Sequence, residues 1–255
     1  QAIEKRMTHY PLQYIVGEWE FMGLPFKVNE NVLIPRQDTE LLVEKAVEVI
    51  GADYYVDKQD VNVLDLCTGS GCIAISIAKM CPNTKVTGSD LSEKALEVAN
   101  ENANLNKVDN VHFEKSDLFT NIKGKYNIIV SNPPYIKSEE VEKLMPEVRE
   151  YEPRMALDGD ADGLKFYRKI IDECYKQAQE ILKKHKNLVE VLAKVLSEKE
   201  TLTKEEIEEI VEANSDIKIK REEKLSDEIK EEEKENKFEK ETSKKTKKQT
   251  NKDEE

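Results

Sequence analysis

At 255 residues the chain has room for one large domain or two small ones, but 38% apolar against 36% charged side chains is too lean for a chain packed throughout. The net charge is −13, and residues 216–255 carry 14 acidic and 13 basic side chains, so −12 falls on residues 1–215. An acidic body without a basic block repels phosphate backbones and argues against a nucleic-acid partner.

Gln1 to Tyr14 reads as the end of a helix stopped by Pro11, in a chain that opens without an initiator Met, as a fragment would. Trp19–Phe21 and Leu24–Val28 flank Met22-Gly23 like the arms of a hairpin, and Val32–Ile34 runs extended into Pro35. Asp38 is a candidate cap for a helix whose apolar residues Leu41, Leu42, Ala46, Val49 and Ile50 keep helical spacing up to Gly51. Val61–Leu66 then reads as a strand, Cys67–Gly71 as a glycine loop and Cys72–Met80 as an apolar helix. Val86–Asp90, Val111–Glu114 and Tyr126–Val130 are further strands, with a helix over Leu91–Leu105. Alternating strands and helices predict a parallel, right-handed α/β sheet.

A last helix is predicted from Asp162-Gly163 through Leu164, Tyr167, Ile170, Ile171 and Cys174, running on to Val195, with a capping box after it at Thr203 and Glu206. No later strand is readable. Residues 214–255 are Lys/Glu-rich with isolated apolar residues, the composition of a disordered tail, with a solvated single helix as the alternative. Cys67, Cys72, Cys81 and Cys174 have no C-x-x-C spacing, and His9, His112 and His185 are scattered, so neither a metal site nor a disulfide framework is expected. With no apolar run of membrane-spanning length and no signal-peptide core, the expected location is the cytoplasm, without membrane contact.

Asp65, Gly69 and Gly71 lie at and just after the end of the first core strand, where glycine lets the backbone turn tightly and approach a ligand. With Ala74 the loop also fits G-x-G-x-x-A, and Asp90 at the next strand end would then hold a ribose in a nicotinamide enzyme. A carboxylate at Asp65, with Cys67 and Thr68 before the first glycine, repels phosphate and suits a cation or an amine instead. S-adenosylmethionine carries a sulfonium and an α-amino group and no phosphate. Asp65 and Asp90 also have plain readings as loop and helix caps; Asp117 either takes an adenine amino group, with Leu118 against the ring, or is a turn aspartate. At the fourth strand end, Asn132-Pro-Pro-Tyr135 forces the backbone out of the sheet. It is either a rigid turn or a clamp whose two acceptors, the Asn132 side-chain carbonyl and the Pro133 carbonyl, suit a planar NH2 group.

Asp65–Gly71, Asp90, Ser116-Asp-Leu-Phe119 and Asn132–Tyr135 in this order resemble class I S-adenosylmethionine-dependent methyltransferases of the amino-methylating type, which act on DNA adenine, RNA guanine or protein glutamine. Pro11–Gly17, Phe21–Phe26, Leu33–Glu40, Asp158-Gly159 and Asp162–Tyr167 narrow the resemblance, over roughly residues 3–172, to the HemK/PrmC family, which methylates the Gly-Gly-Gln glutamine of peptide chain release factors.

The resemblance implies a Rossmann-like sheet and S-adenosylmethionine as cofactor. It implies that Asp65, Cys67, Thr68, Gly69, Ser70, Gly71, Asp90, Asp117, Leu118 and Asn132 line the cofactor. It implies that Asn132, Pro133, Pro134 and Tyr135 hold the amide, with Asn132, Pro133 and Tyr135 serving the reaction. Release factors are then the partner, with no nucleic acid; the alternatives are an amino-methyltransferase of DNA adenine or RNA guanine, and a fragment without activity.

The expected division is 1–35, the remnant of a helical domain and a hairpin linker; 36–172, a methyltransferase domain truncated after its fourth strand where the family has three more; 173–213, helices; and 214–255, the tail. Residues 170–213 resemble the C-terminal helices of FtsH-type AAA+ zinc proteases, but the chain has no His-Glu-x-x-His and so no protease chemistry.

Overall fold

Pro11 opens a helix rather than closing one. The computed structural model describes residues 1–51 and 61–215. In it α1 spans Ala2–Met7 and α2 spans Leu12–Val16, directly after Pro11, whose φ of −55° is already that of a helix entrance. Strands β1 (Glu18–Phe21) and β2 (Leu24–Lys27) pair antiparallel across Met22 and Gly23, both at positive φ, the turn geometry that matches the twist of the two strands. Phe21 and Phe26 are turned inward, their rings edge to face at 6.1 Å. A 3-10 turn, Gln37–Thr39, then leads into α3 (Glu40–Ile50), which starts at Thr39 and not at the expected cap Asp38.

β3 (Val61–Leu66) is buried at every residue but Asn62, which makes it the centre of the sheet. β4 (Thr84–Asp90) and β6 (Ile128–Ser131) pair with it on opposite sides, and β5 (Val111–Lys115) pairs with β4, all parallel, in the order β5-β4-β3-β6. This is the α/β Rossmann-like arrangement, with four strands among the described residues. Leu66 stands opposite both Ser89 and Ser131, and Asp90 opposite Lys115, so the four carboxyl ends lie level. Strand order reverses between β3 and β6, and ligands of such sheets bind in the crevice outside that point.

Seven of the nine residues of α4 (Cys72–Met80) are buried, from Cys72 through Ala78. The next helix, α5 (Glu93–Asn106), begins at Ser92, whose hydroxyl accepts from the Ala95 N–H, so Asp90 is not its cap. Its Asn102 is wholly buried and fully used. The side-chain oxygen accepts from the Lys27 N–H at 2.7 Å, and the amide donates to the Lys27 and Ser70 carbonyls at 3.1 and 2.9 Å, which ties the hairpin to the glycine loop.

Beyond β6 come α6 (Ser138–Val141), α7 (Pro146–Arg149) and three longer helices, α8 (Lys165–Lys184), α9 (Lys186–Lys199) and α10 (Lys204–Asn214). The single helix expected as far as Val195 is interrupted at His185, at φ −108° and ψ 28°. The capping box of Thr203 and Glu206 is formed as expected. Compact units divide at Ala178 and Gln179, within α8. The tail read from residue 216 onward lies outside the described residues. Among those described, no helix is long and apolar enough to cross a membrane.

Candidate active site

Two hollows meet at the carboxyl end of β6. The first, about 210 Å³, is lined by residues at the carboxyl ends of all four core strands: Cys67 and Gly69 after β3, Asp90 to Ser92 at and after β4, Ser116 to Leu118 after β5, and Asn132 and Pro134 after β6. Its far wall is built from Asn31–Leu33, Pro153, Met155, Ala156, Asp158 and Phe166. The second, an open cleft of about 690 Å³, is lined by Gln13, Trp19, residues 34–39, Leu42, Asn132 and Tyr135. Of these lining residues, Asn132 alone belongs to both.

The glycine loop is held from beneath. Asp65 is fully buried, and its Oδ2 accepts from the Thr68 hydroxyl at 2.6 Å, while Oδ1 meets no hydrogen-bond partner. Burial pushes its carboxyl up to about 7, against the downward pull of the Thr68 hydroxyl and the Ala74 N–H. Gly71 starts α4 at φ +80°, where an added Cβ would lie 3.0 Å from both Ile75 and Phe113, so the turn admits only glycine without rearrangement. Asp90 is fixed by two backbone donors, Gly69 N–H to Oδ2 and Ser92 N–H to Oδ1, each at 2.9 Å. Its carboxyl is raised by burial even so. Cys67 and Leu118 hold left-handed φ of 61° and 48°, unusual for side chains of their size, and both face the smaller cavity. Burial, with the charges of Asp90 and Asp65, pushes the Cys67 thiol up to about 12, which leaves it protonated and unreactive near neutrality.

Asn132 donates from Nδ2 to the Thr39 hydroxyl at 3.2 Å. The backbone just after it is clamped: Ile136 N–H donates to the Leu157 carbonyl at 3.0 Å, and Gly159 N–H to the Ile136 carbonyl at 2.7 Å. Gly163, at φ +77°, packs so closely that a Cβ would fall 2.3 Å from the Tyr135 carbonyl oxygen. Glu152, nearly buried, accepts from Arg36 Nη2 at 2.5 Å and from the Ile34 N–H at 3.1 Å, joining a wall of the cleft to the loop that walls the smaller cavity.

A family model described as "Methyltransferase small domain" matches residues 39–148. The release factor glutamine methyltransferase of Streptococcus pneumoniae is 42% identical over 196 residues, covering 70% of this chain and 68% of that one. The chain belongs to the release factor glutamine methyltransferase family. Relatives of the same description from Fusobacterium nucleatum and Thermodesulfovibrio yellowstonii are 51% and 47% identical, over 63% and 68% of this chain. The chain spans 44% and 62% of those two relatives' own lengths. A second family model, "Peptidase family M41", matches residues 140–210.

Of the residues singled out in the sequence, Cys67, Gly69, Asp90, Asp117, Leu118, Asn132 and Pro134 come together around the smaller cavity, and Tyr135 faces the cleft. Thr68, Ser70 and Asp65 are buried behind the loop and line neither hollow, as is true of Pro133 and of Gly71. Thr39, Arg36 and Glu152 were not singled out, and Gly163 was read only as a helix start. Thr39 and Arg36 stand in Leu33–Glu40 and Gly163 in Asp162–Tyr167, segments that carried part of the resemblance, so a signal was present without a role attached to it.

Proposed function

We propose that the chain binds S-adenosylmethionine in the smaller cavity and methylates the side-chain amide nitrogen of the glutamine in the Gly-Gly-Gln motif of peptide chain release factors. The position of Asn132 carries this reading: a group touching two hollows at once is where a donor in one can meet an acceptor in the other. The chemistry of the cavity supports the cofactor. Its lining includes Asp90, Asp117 and Asp158, the last paired with Arg154, and among the described residues no Lys, Arg or His, a setting that favours a cationic, phosphate-free ligand over a dinucleotide pyrophosphate. Asp90, its orientation fixed by Gly69 and Ser92, retains lone pairs for ribose hydroxyls; Asp117 and Leu118 are assigned the adenine. Asp65, Thr68, Ser70 and Gly71 are assigned to hold the loop shape that presents Cys67 and Gly69.

When bound, S-adenosylmethionine supplies an electrophilic methyl group. An amide nitrogen is a weak nucleophile because its lone pair is delocalised, so the protein must aim it. Asn132 Oδ1 is assigned a hydrogen bond from one amide N–H, and the Pro133 carbonyl a hydrogen bond from the other, although Pro133 is buried and lines neither hollow. Tyr135, 56% exposed in the cleft, is assigned to pack on the amide plane. Such positioning lowers a barrier by about 7 to 11 kcal/mol. The same acceptors stabilise the positive charge that develops on nitrogen. The description of the relatives supports release factors as the substrate. Among the described residues the one basic side chain lining the cleft, Arg36, is paired with Glu152, which favours a protein over DNA or RNA.

The proposed division remains 1–35, 36–172, 173–213 and 214–255, with a cytoplasmic location. The peptidase match supports an origin of the helices after residue 170 in FtsH-type sequence, without protease chemistry.

Incubation with radiolabelled S-adenosylmethionine and either a release factor, its Gly-Gly-Glu variant or a DNA duplex tests the reading. Label is expected on the Gly-Gly-Gln protein alone; label on DNA, or none from a folded chain that binds S-adenosylhomocysteine, overturns it. Asn132→Ala should abolish transfer while cofactor affinity stays within about threefold, because one hydrogen-bonding group is removed at the cavity edge.

A further inference from the structure

We infer that Thr39 is a positioning residue, which holds the Asn132 amide in place where the two hollows meet. The inference rests on the proposed role of Asn132. Thr39 ends the 3-10 turn Gln37–Thr39 and runs at helical φ −73° and ψ −19° into α3, so it lacks the extended backbone from which a threonine hydroxyl caps a helix. Its oxygen is left to accept from Asn132 Nδ2 at 3.2 Å, across 93 residues of sequence.

Chemistry gives the contact its consequence. An asparagine amide is a donor at one end and an acceptor at the other, and the two ends have nearly the same shape. With Nδ2 held by Thr39, Oδ1 is the end left for the hollows that Asn132 lines. If the amide were turned over, Nδ2 would face an incoming NH2 group, donor against donor, and the clamp would lose its acceptor. Among the described residues no other side chain bonds the Asn132 amide, so Thr39 is the contact that restrains it. Thr39 also lines the cleft itself, so that restraint acts where the substrate arrives.

Side-chain amide NMR tests this without relying on catalysis. The Asn132 Nδ2 proton signals, assigned by their loss in Asn132→Asp, should exchange with water more slowly than those of exposed asparagines. In Thr39→Val, which keeps the shape and removes the acceptor, exchange should rise by roughly threefold to tenfold. Thr39→Ser should restore it. Exchange in the unaltered protein as fast as in exposed amides overturns the inference, and needs no variant to fold.

In methyl transfer, Thr39→Val should lower kcat on the order of a hundredfold, as displaced catalytic groups do, with S-adenosylhomocysteine affinity within about twofold and recovery in Thr39→Ser. An undiminished kcat in Thr39→Val overturns the role of Thr39 alone. Absence of transfer by the unaltered chain overturns the proposed function, while the exchange measurement still decides the contact.

Discussion

Helices α4 and α8 belong to one chain and obey opposite constraints. In α4, nine residues long, seven are buried and the helix fills the space over the sheet centre. In α8, twenty residues long, none is buried, although Tyr167, Ile171, Tyr175 and Leu182 recur at helical spacing. Burial on that scale decides where α4 sits and, with it, the glycine loop that begins it. An amphipathic stripe that no described residue buries specifies a helix but not its address. The candidate site rests mainly on the first kind of constraint, with Phe166 at the start of α8 reaching its wall, and cutting buried and exposed positions separately measures how far the two differ.

The largest effect is expected where packing is densest. Ile75 in α4 is fully buried in the main core, so Ile75→Ala should cost about 2 to 5 kcal/mol of unfolding free energy, read from urea denaturation. A loss under about 1 kcal/mol would mean that the core over the sheet is loose and the contrast with α8 false.

Next comes the buried carboxyl beneath the loop. Unfolded, Asp65 ionises near 3.8; folded, it keeps its proton to about 7 because charging it in the interior is unfavourable. Between those values the folded state binds the extra proton, so this contribution is fully present below about pH 4 and is lost as pH rises to about 7. The difference is on the order of 4 kcal/mol. Asp65→Asn keeps an acceptor for Thr68 and removes the titration, so stability compared at pH 4 and pH 8 should fall in the parent chain by that much more than in the variant. Asp90, raised in the same direction, contributes to both chains alike. Parallel curves would mean that Asp65 ionises freely and that the loop is open to water.

Gly163 is where the Asn132–Tyr135 loop is gripped from outside the sheet. A Cβ there meets the Tyr135 carbonyl at 2.3 Å on a backbone at φ +77°, so Gly163→Ala should cost about 1 to 3 kcal/mol. On the proposed function it should also lower methyl transfer more than cofactor affinity, because the displaced atoms belong to Tyr135, which lines the cleft and not the smaller cavity. Equal losses in both would place the damage in the fold as a whole.

These positions differ in how plainly the sequence announced them. The apolar run Val61–Leu66, the glycines after it and the strand-ending residues Asp90, Asp117 and Asn132 were legible because each sits at or just after the end of an apolar strand run that local pattern marks. Thr39 and Asn132 are 93 residues apart, and Glu152 and Arg36 are 116 apart, so no local pattern links them. Asn102 was hidden differently: a polar residue does not count in an apolar period, yet it is buried because the backbone carbonyls of Lys27 and Ser70 satisfy it. The break at His185 was missed because apolar spacing continues on both sides of it, and spacing does not report one residue's departure from helical dihedrals.

The smallest expected effect is the one that tests the comparison most directly. Ile171, in the middle of the α8 stripe, is 65% exposed. Truncating an exposed isoleucine removes little area from contact, and isoleucine is a slightly poorer helix former than alanine, so Ile171→Ala should shift stability by no more than about 0.5 kcal/mol. Ile75→Ala removes the same atoms from the same residue type, so the two measurements differ only in surroundings. If Ile171→Ala costs more than about 1 kcal/mol, then the stripe is covered in solution and α8 has a packing address after all. Repeating the denaturation at a tenfold higher protein concentration then identifies the cover, since only an intermolecular one makes the loss concentration-dependent.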